Sequence, residues 1–385
     1  MFLITLCFIW VLFCLYWMER LQSLPGVHGM EWLEGNEHWK KAVKKCIWAF
    51  IGGLTLISAV RHGFVDTYAY REMYRYSHMD LDYVQSGAGW GIEYGWLYTC
   101  YLLNYICTSP NFILLLSALL INYAYVNSIR MYSEDTTFSL WMFFCLLWLD
   151  TNNGLRQFAA SALIIMALPL LVNQERSVRR RVLGYIGFIG IVLLAMQWHN
   201  SAKLLFPVMI VVLGKPMNWR TWLSMLVCLS FIYGMESAKD VFVLGSGETS
   251  KYAEMYLGRT SGGMGIPRSI FMGFIPLFFA VCYYLKCRRN RMAISYVDGV
   301  LLNLLMMQVA FTFLGLKIQI LARLCFYTYF AYFLIMPKLM KSFFGRNYKN
   351  ARLVAIGCLL FFFWYNVYRN FVFHSVQDFY YDVEF

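Results

Sequence analysis

The sequence predicts an all-α, polytopic membrane protein, and three observations carry that reading. Of 385 residues, 60% are hydrophobic and only 14% charged, against roughly 25% charged in an ordinary soluble domain. Uncharged runs of about 14 to 20 residues, long enough to cross or nearly cross a ~30 Å hydrocarbon layer, recur from end to end. Runs such as 1–18 and 353–364 are apolar on every face, whereas the strands of a transmembrane barrel alternate apolar and polar residues. A soluble enzyme is excluded.

Taken in order, apolar segments lie near 1–18, 46–60, 111–127, 138–149, 157–172, 182–196, 202–214, 221–235, 269–285, 294–314, 321–336 and 353–366. They predict about twelve spans. The first run has no basic stretch ahead of it and no A-x-A-like cleavage site, so it reads as a span and not a removed signal. Cations cluster at Lys40, Lys41, Lys44 and Lys45, at Arg176 and Arg179 to Arg181, at Lys286 to Arg291, and at Lys338 to Arg352. The positive-inside rule makes these loops cytoplasmic. Segments 61–110 and 236–268 are then outside. The count alternates only if 93–107 lies along the outer interface as a helix, where Tyr94, Trp96, Tyr98, Tyr101 and Tyr105 suit the headgroup region. Glu93, Cys100, Asn104 and Cys107 would share its polar stripe. Both termini end outside. No Pro- or Ser-rich linker or repeat divides the chain, so 1–385 reads as a single integral membrane domain. The eleven Cys include no C-x-x-C pair and read as packing residues.

Cytoplasmic charges are accounted for by topology and anionic lipid. The outer ones are not. Five segments bring polar residues to span ends on that face: Arg61 and Asp66; Glu93; Asn153, Arg156 and Gln157; His199 and Ser201; Arg323 and Tyr327. Each has a structural reading by itself, as an ion pair, a snorkelling cation or a helix cap. Together they make the inventory of an anion-binding catalytic cavity. The 236–268 loop, with Lys239, Lys251, Arg259, Arg268 and six glycines, reads as a basic lid. Its Gly245-Ser246-Gly247-Glu248-Thr249-Ser250-Lys251 stretch lacks the Gly-Lys-Ser/Thr ending of a phosphate loop. Asp80-Leu81-Asp82 has a D-x-D spacing that two acids reach easily by chance, and His62, His78 and His374 give no convergent metal spacing.

At these residues the sequence resembles the EpsG family within the Wzy-like bacterial polysaccharide polymerases. The motifs are Arg61-x-Gly63-x-x-Asp66-Thr67-x-x-Tyr70, Glu93-x-Gly95, Asn153-Gly154-Leu155-Arg156-Gln157-x-x-Ala160 and His199-x-Ser201-Ala202. Arg323 and Tyr327 follow, with Tyr329 and Phe330 in shifted register. The likeness runs from about Arg61 to Pro337. An acidic first cytoplasmic loop (Glu31, Glu34, Glu37) and the tail after Tyr368 depart from it.

The resemblance implies a GT-C type glycosyltransferase of the bacterial plasma membrane that joins undecaprenyl-diphosphate-linked oligosaccharide repeat units on the outer face. It implies no cofactor, no nucleotide sugar, no required metal and no nucleic acid. Partners are the lipid-linked glycan, membrane lipid, a chain-length regulator and other polysaccharide-assembly proteins. The leaving lipid diphosphate calls for fixed cations, and the planar fork of Arg holds phosphate oxygens with two donors. Arg156 and Arg323 come first, then Arg61, Arg259 and Arg268. Asp66, Glu93 and His199 compete as base or acceptor for the incoming hydroxyl. Asn153, Gln157, Ser201 and Tyr327 suit sugar hydroxyls. A glycan ligase or membrane acyltransferase needs a similar cavity. A lipid-linked oligosaccharide flippase has a similar span count but needs cations through the midplane, where this sequence has almost none.

Overall fold

The structure, a computed structural model, describes residues 2–22, 37–61, 64, 66–77, 92–172, 178–230, 265–316 and 323–369. Among these residues the regular elements are all helical. In chain order they are α1 (Phe2–Gln22), α2 (Glu37–Ala59), α3 (Thr67–Tyr76), α4 (Tyr94–Asn104), α5 (Asn111–Tyr132), α6 (Thr136–Thr151), α7 (Leu155–Met166), α8 (Leu168–Val172), α9 (Val178–Met196), α10 (Leu205–Val212), α11 (219–230), α12 (Ile266–Arg289), α13 (Tyr296–Leu314), α14 (Tyr329–Phe344) and α15 (Tyr348–Tyr368).

Helix lies on the described part of every one of the twelve apolar segments. Among the described residues seven stretches are long and apolar enough to cross a membrane: Phe2–Leu21, Lys41–Ala59, Asn111–Tyr132, Leu155–Val172, Ile266–Arg289, Tyr296–Leu314 and Tyr329–Tyr368. The last, at 40 residues, holds both α14 and α15, parted by a tight turn at Gly345–Asn347. Gly345 has φ +53° there, a left-handed value that glycine adopts without a Cβ clash. Helix α6 is apolar but shorter, as is Asn200–Val212, and α9 carries Arg179, Arg180 and Arg181 in its first turn.

The chain forms two compact units. Met1–Met166, Leu193–Asn200 and Arg352–Phe385 make the first; Ala167–Val192 and Ser201–Ala351 make the second. Their boundaries fall inside or beside helices, so no linker composition marks them in the sequence.

In the first unit α2 packs along α1 and α5, and α7 along α5. Contact of this kind rests on close van der Waals fit, because lipid tails are as apolar as the side chains they surround. Gly53 shows the fit: a Cβ there would lie 2.0 Å from the Trp10 indole nitrogen, which donates to the Ala49 carbonyl at 3.0 Å. Phe8, Phe144, Phe363 and Trp364 stack into one aromatic cluster. Within α6, Phe144–Trp148 winds as a π turn, a departure often found near functional sites. The Trp148 carbonyl accepts Thr151 Oγ1 at 2.6 Å and Asn152 Nδ2 at 2.9 Å.

Helices α3 and α4 are too short to cross. With 11 residues, α4 spans about half of a ~30 Å layer, and its neighbour α3, ten residues without an apolar run, is shorter still. Asn104 closes the pair, donating to the Tyr74 carbonyl at 2.5 Å and to Ser77 Oγ at 3.1 Å, while Tyr74 Oη donates to the Cys107 carbonyl at 2.6 Å. Cys100 and Asn104 are therefore buried on the inner side of α4, and Leu102, Tyr105 and Ile106 are exposed.

In the second unit α13 is enclosed, with 94% of its apolar window buried among α10, α12 and α14. A largely apolar helix suits that position; Asn303 and Thr312 are satisfied locally, and Gln308 donates through Nε2 while its buried Oε1 has no partner among the described residues. Asn303 donates to the Val212 carbonyl at 3.2 Å and accepts from the Met217 N–H at 2.9 Å and Thr221 Oγ1 at 3.1 Å. A second π turn, Ile270–Phe274 in α12, presents the Met272 carbonyl to Gln308 and Thr312.

Ion pairs group the helix ends within each unit. Arg352 binds Glu19 through two donors at 2.6 and 2.5 Å and Asp135 at 3.0 Å. Those three lie on segments that the charge pattern assigns to one side. In the second unit, Lys338 pairs with Asp298 at 2.8 Å and Lys286 donates to the Ser342 carbonyl. These too join segments assigned to one side.

Candidate functional site

The site in the first unit begins where α6 gives way to α7. The Asp150 carbonyl accepts from the Asn153 and Gly154 N–H groups at 3.0 and 3.2 Å, and the Gly154 carbonyl accepts from Phe158 at 2.9 Å, which starts α7. Arg156 is the second residue of that helix. A cation there opposes the helix dipole, so a carboxylate is needed to hold it. Glu93 supplies that carboxylate: Arg156 Nη1 donates to Glu93 Oε2. Arg156 Nε and Asn153 Oδ1 are buried with no hydrogen-bond partner among the described residues. A buried polar atom without a protein partner calls for an explanation, and a bound ligand is one.

Glu93 also reaches the turn after α9. Its Oε1 accepts the Asn200 backbone N–H at 2.7 Å, and His199 Nδ1 lies 4.0 Å from the same oxygen. The approach depends on Gly95. A Cβ there would stand 2.5 Å from Gln197 Cβ and 2.6 Å from the Gln197 carbonyl oxygen, which itself accepts the Trp96 N–H at 3.1 Å. The Glu-x-Gly motif thus combines a bridging carboxylate with the residue that lets two backbones touch. Glu93, Arg156 and His199 are 17%, 19% and 24% exposed, within reach of a ligand. Behind them, burial pushes the Cys100 thiol up to about 12, against the pull of the Arg156 guanidinium.

Arg61 is fully buried. It donates to Thr67 Oγ1 at 3.0 Å, to Asn152 Oδ1 at 3.0 Å and to the Ser58 carbonyl. The guanidinium therefore ties the end of α2 and the start of α3 to the turn that precedes Asn153. Asp66 sits at the N-terminus of α3, half-buried, and its carbonyl accepts from Tyr70 at 3.2 Å. Gln157, one residue past Arg156, is buried.

Other residues singled out in the sequence belong to the second unit. Ser201 Oγ and Tyr327 Oη are 2.9 Å apart. Arg323 opens the short helical turn that Tyr327 closes, and Arg268 in the first turn of α12 acts electrostatically on the buried Cys325 between them. Arg259, the Gly245 to Lys251 stretch, Asp80, Asp82, His62, His78, His374, Arg176, Glu31, Glu34 and the tail beyond Arg369 lie outside the described residues. Among the described residues no three His, Cys, Asp or Glu side chains gather as metal ligands.

A family model, that of the EpsG family, matches residues 44–381. The chain belongs to the EpsG family. The match extends past the Arg61 to Pro337 stretch that carries the motifs, and no curated protein or solved structure matches the chain. As an EpsG-family chain with several apolar helices it is a multi-pass membrane protein of polysaccharide synthesis. In this EpsG-family protein three contributors went unread in the sequence: Asn152, the partner of Arg61; Gly95, as a contact residue; and the Asn200 N–H. Asn152 and Gly95 stand inside or beside the motifs, a usable signal. A backbone amide leaves none.

Proposed function

We propose that this protein is a polysaccharide polymerase: a GT-C type glycosyltransferase that joins lipid-diphosphate-linked oligosaccharide repeat units on the outer face of the plasma membrane. One observation carries the reading. Glu93 holds an arginine at a helix N-terminus and a histidine-bearing turn together, so a fixed cation and a proton acceptor stand side by side. In the reaction the acceptor hydroxyl oxygen bonds to the anomeric carbon of the donor sugar as the bond from that carbon to the lipid diphosphate breaks. The hydroxyl proton passes to a base, and the departing diphosphate takes the electron pair.

Arg156 is suited to the developing diphosphate charge. One of its five N–H donors is held by Glu93, and the buried Nε has no protein acceptor among the described residues. Both oxygens of Glu93 accept protein donors, which fits it for positioning and not for taking the proton. His199 is then the first choice as base, because histidine ordinarily titrates near ~6.5, with Asp66 next. Asn153 and Gln157 are assigned to sugar hydroxyls. Arg61, buried and bonded on three sides, is a positioning residue in this reading. In the second unit Ser201 and Tyr327 are assigned to hydroxyls, and Arg268, Arg323 and Arg259 to further phosphate oxygens.

About twelve crossings, both termini outside, an undecaprenyl carrier and a chain-length regulator as partner complete the proposal. The decisive experiment is reconstitution of the purified protein in lipid nanodiscs with lipid-diphosphate-linked repeat units. A ladder of extended glycan is expected. A deletion strain is expected to accumulate single repeats on lipid at the outer face, and units trapped inside would replace this reading with transport.

A further inference from the structure

The turn that Glu93 holds also carries an aromatic ring that the assignments above leave unused. Trp198 precedes His199, and its backbone is fixed on both sides. Its own N–H donates to the Ala195 carbonyl at 3.0 Å, the Trp96 N–H donates to the Gln197 carbonyl at 3.1 Å, and the Asn200 N–H is held by Glu93 at 2.7 Å. The indole is half-buried and stands at 85° to Trp96, with centroids 6.4 Å apart. Trp96 is itself buried and packs edge-on with Tyr70 at 6.1 Å.

We infer that Trp198 is a carbohydrate subsite, the stacking face for the acceptor sugar ring whose hydroxyl is presented to His199; this rests on the polymerase reading. A perpendicular neighbour occupies at most one face of the Trp198 ring, and this half-buried indole stands in a turn whose next residue is His199. The C–H faces of a sugar ring are apolar and carry the positive edge that a π face attracts, while its hydroxyls point outward around the rim. A ring lying on Trp198 therefore directs a hydroxyl sideways.

Tryptophans at a membrane face commonly anchor in the headgroups. On α4 and at its C-terminal end that role falls to Tyr94, Tyr98 and Tyr105, which are exposed. Trp198 is instead turned onto a buried partner. A second observation favours a polar ligand nearby: Trp96 Nε1 is buried with no acceptor among the described residues, and a buried indole N–H ordinarily has one.

The test compares wild type, Trp198→Ala and Trp198→Phe in nanodiscs. Binding of the lipid-free repeat-unit oligosaccharide is followed by saturation-transfer NMR, and polymerisation is measured as separate KM and kcat. Trp198→Ala is expected to weaken oligosaccharide binding and raise KM about tenfold, with Trp198→Phe within about threefold of wild type because a stacking face remains. Pyrophosphate binding should be unchanged in both. Unaltered oligosaccharide affinity in a folded Trp198→Ala protein overturns the subsite, as does an equal loss in Trp198→Phe. If wild type binds the oligosaccharide through Trp198 and yet forms no polymer, the polymerase reading falls while the subsite stands.

Discussion

The Asn200 backbone N–H donates to Glu93 Oε1 at 2.7 Å, while Glu93 Oε2 accepts from Arg156. A carboxylate serving two donors at once is hard to replace. In Glu93→Gln the amide offers a single acceptor atom, so Arg156 and the Asn200 turn are no longer both held. A loss of about 100-fold in kcat/KM is expected, and of similar size in Arg156→Lys, which keeps the charge without the planar fork. The double variant should be little worse than either single one. Multiplicative losses in the polymerisation assay would mean that the two residues act separately.

Gly95 provides a purely steric test of the same bridge. Alanine favours a helix over glycine by ~1 kcal/mol, yet its Cβ at position 95 meets Gln197 backbone at 2.6 Å, and backbone yields little. Gly95→Ala is expected to cut polymerisation at least about tenfold through displaced Glu93 and His199, although no polar group is altered. Wild-type kinetics in this variant would show that the approach of the two backbones does not matter.

The Arg61 clamp makes a prediction about stability. Removing a guanidinium that satisfies Thr67, Asn152 and the Ser58 carbonyl leaves buried acceptors unpaired, so Arg61→Ala should cost roughly 2–4 kcal/mol. Asn152→Ala should cost roughly 1–2 kcal/mol, and less in the Arg61→Ala background, where its partner is already gone. Thermal unfolding in detergent measures both. An Arg61→Ala protein that melts like wild type but is inactive would instead place Arg61 against substrate.

Thiol labelling addresses topology and burial together. With burial raising the Cys100 thiol to about 12, it stays protonated at pH 8 and should resist an impermeant maleimide, whereas half-buried Cys107 should react from outside. The raised value also fixes the sign of its contribution to stability, which is complete below the ordinary thiol range and is lost as pH climbs towards 12. In a Cys-free background, cysteines at 179 and 290 should be unreactive from outside, and efficient labelling at 179 would invert the orientation.

Much was legible in the chain itself. Hydropathy located the helices because a lipid-facing helix must be apolar along its whole length, a local property of composition. The motif residues Arg61, Glu93, Asn153, Arg156 and His199 stood out because polar groups at span ends need a reason to be there. What remained hidden depends on contacts between distant segments. In the sequence Asp66, Glu93 and His199 compete as base or contact for the incoming hydroxyl. Folding distinguishes them by giving both Glu93 oxygens protein donors, one of them a backbone N–H 107 residues away. Arg61 reads as a substrate cation until its three acceptors are seen. Helix α3 was missed because its ten residues, Thr67–Tyr76, carry no apolar run, and its inner face is set by Asn104 of α4. Composition fixes which segments enter the membrane, since each transfers largely independently. Which side chains meet, and hence which carboxylate bridges and which ring is left to react, is decided only when the helices pack, because hydrogen-bond partners are set by distances of about 3 Å that no local pattern encodes.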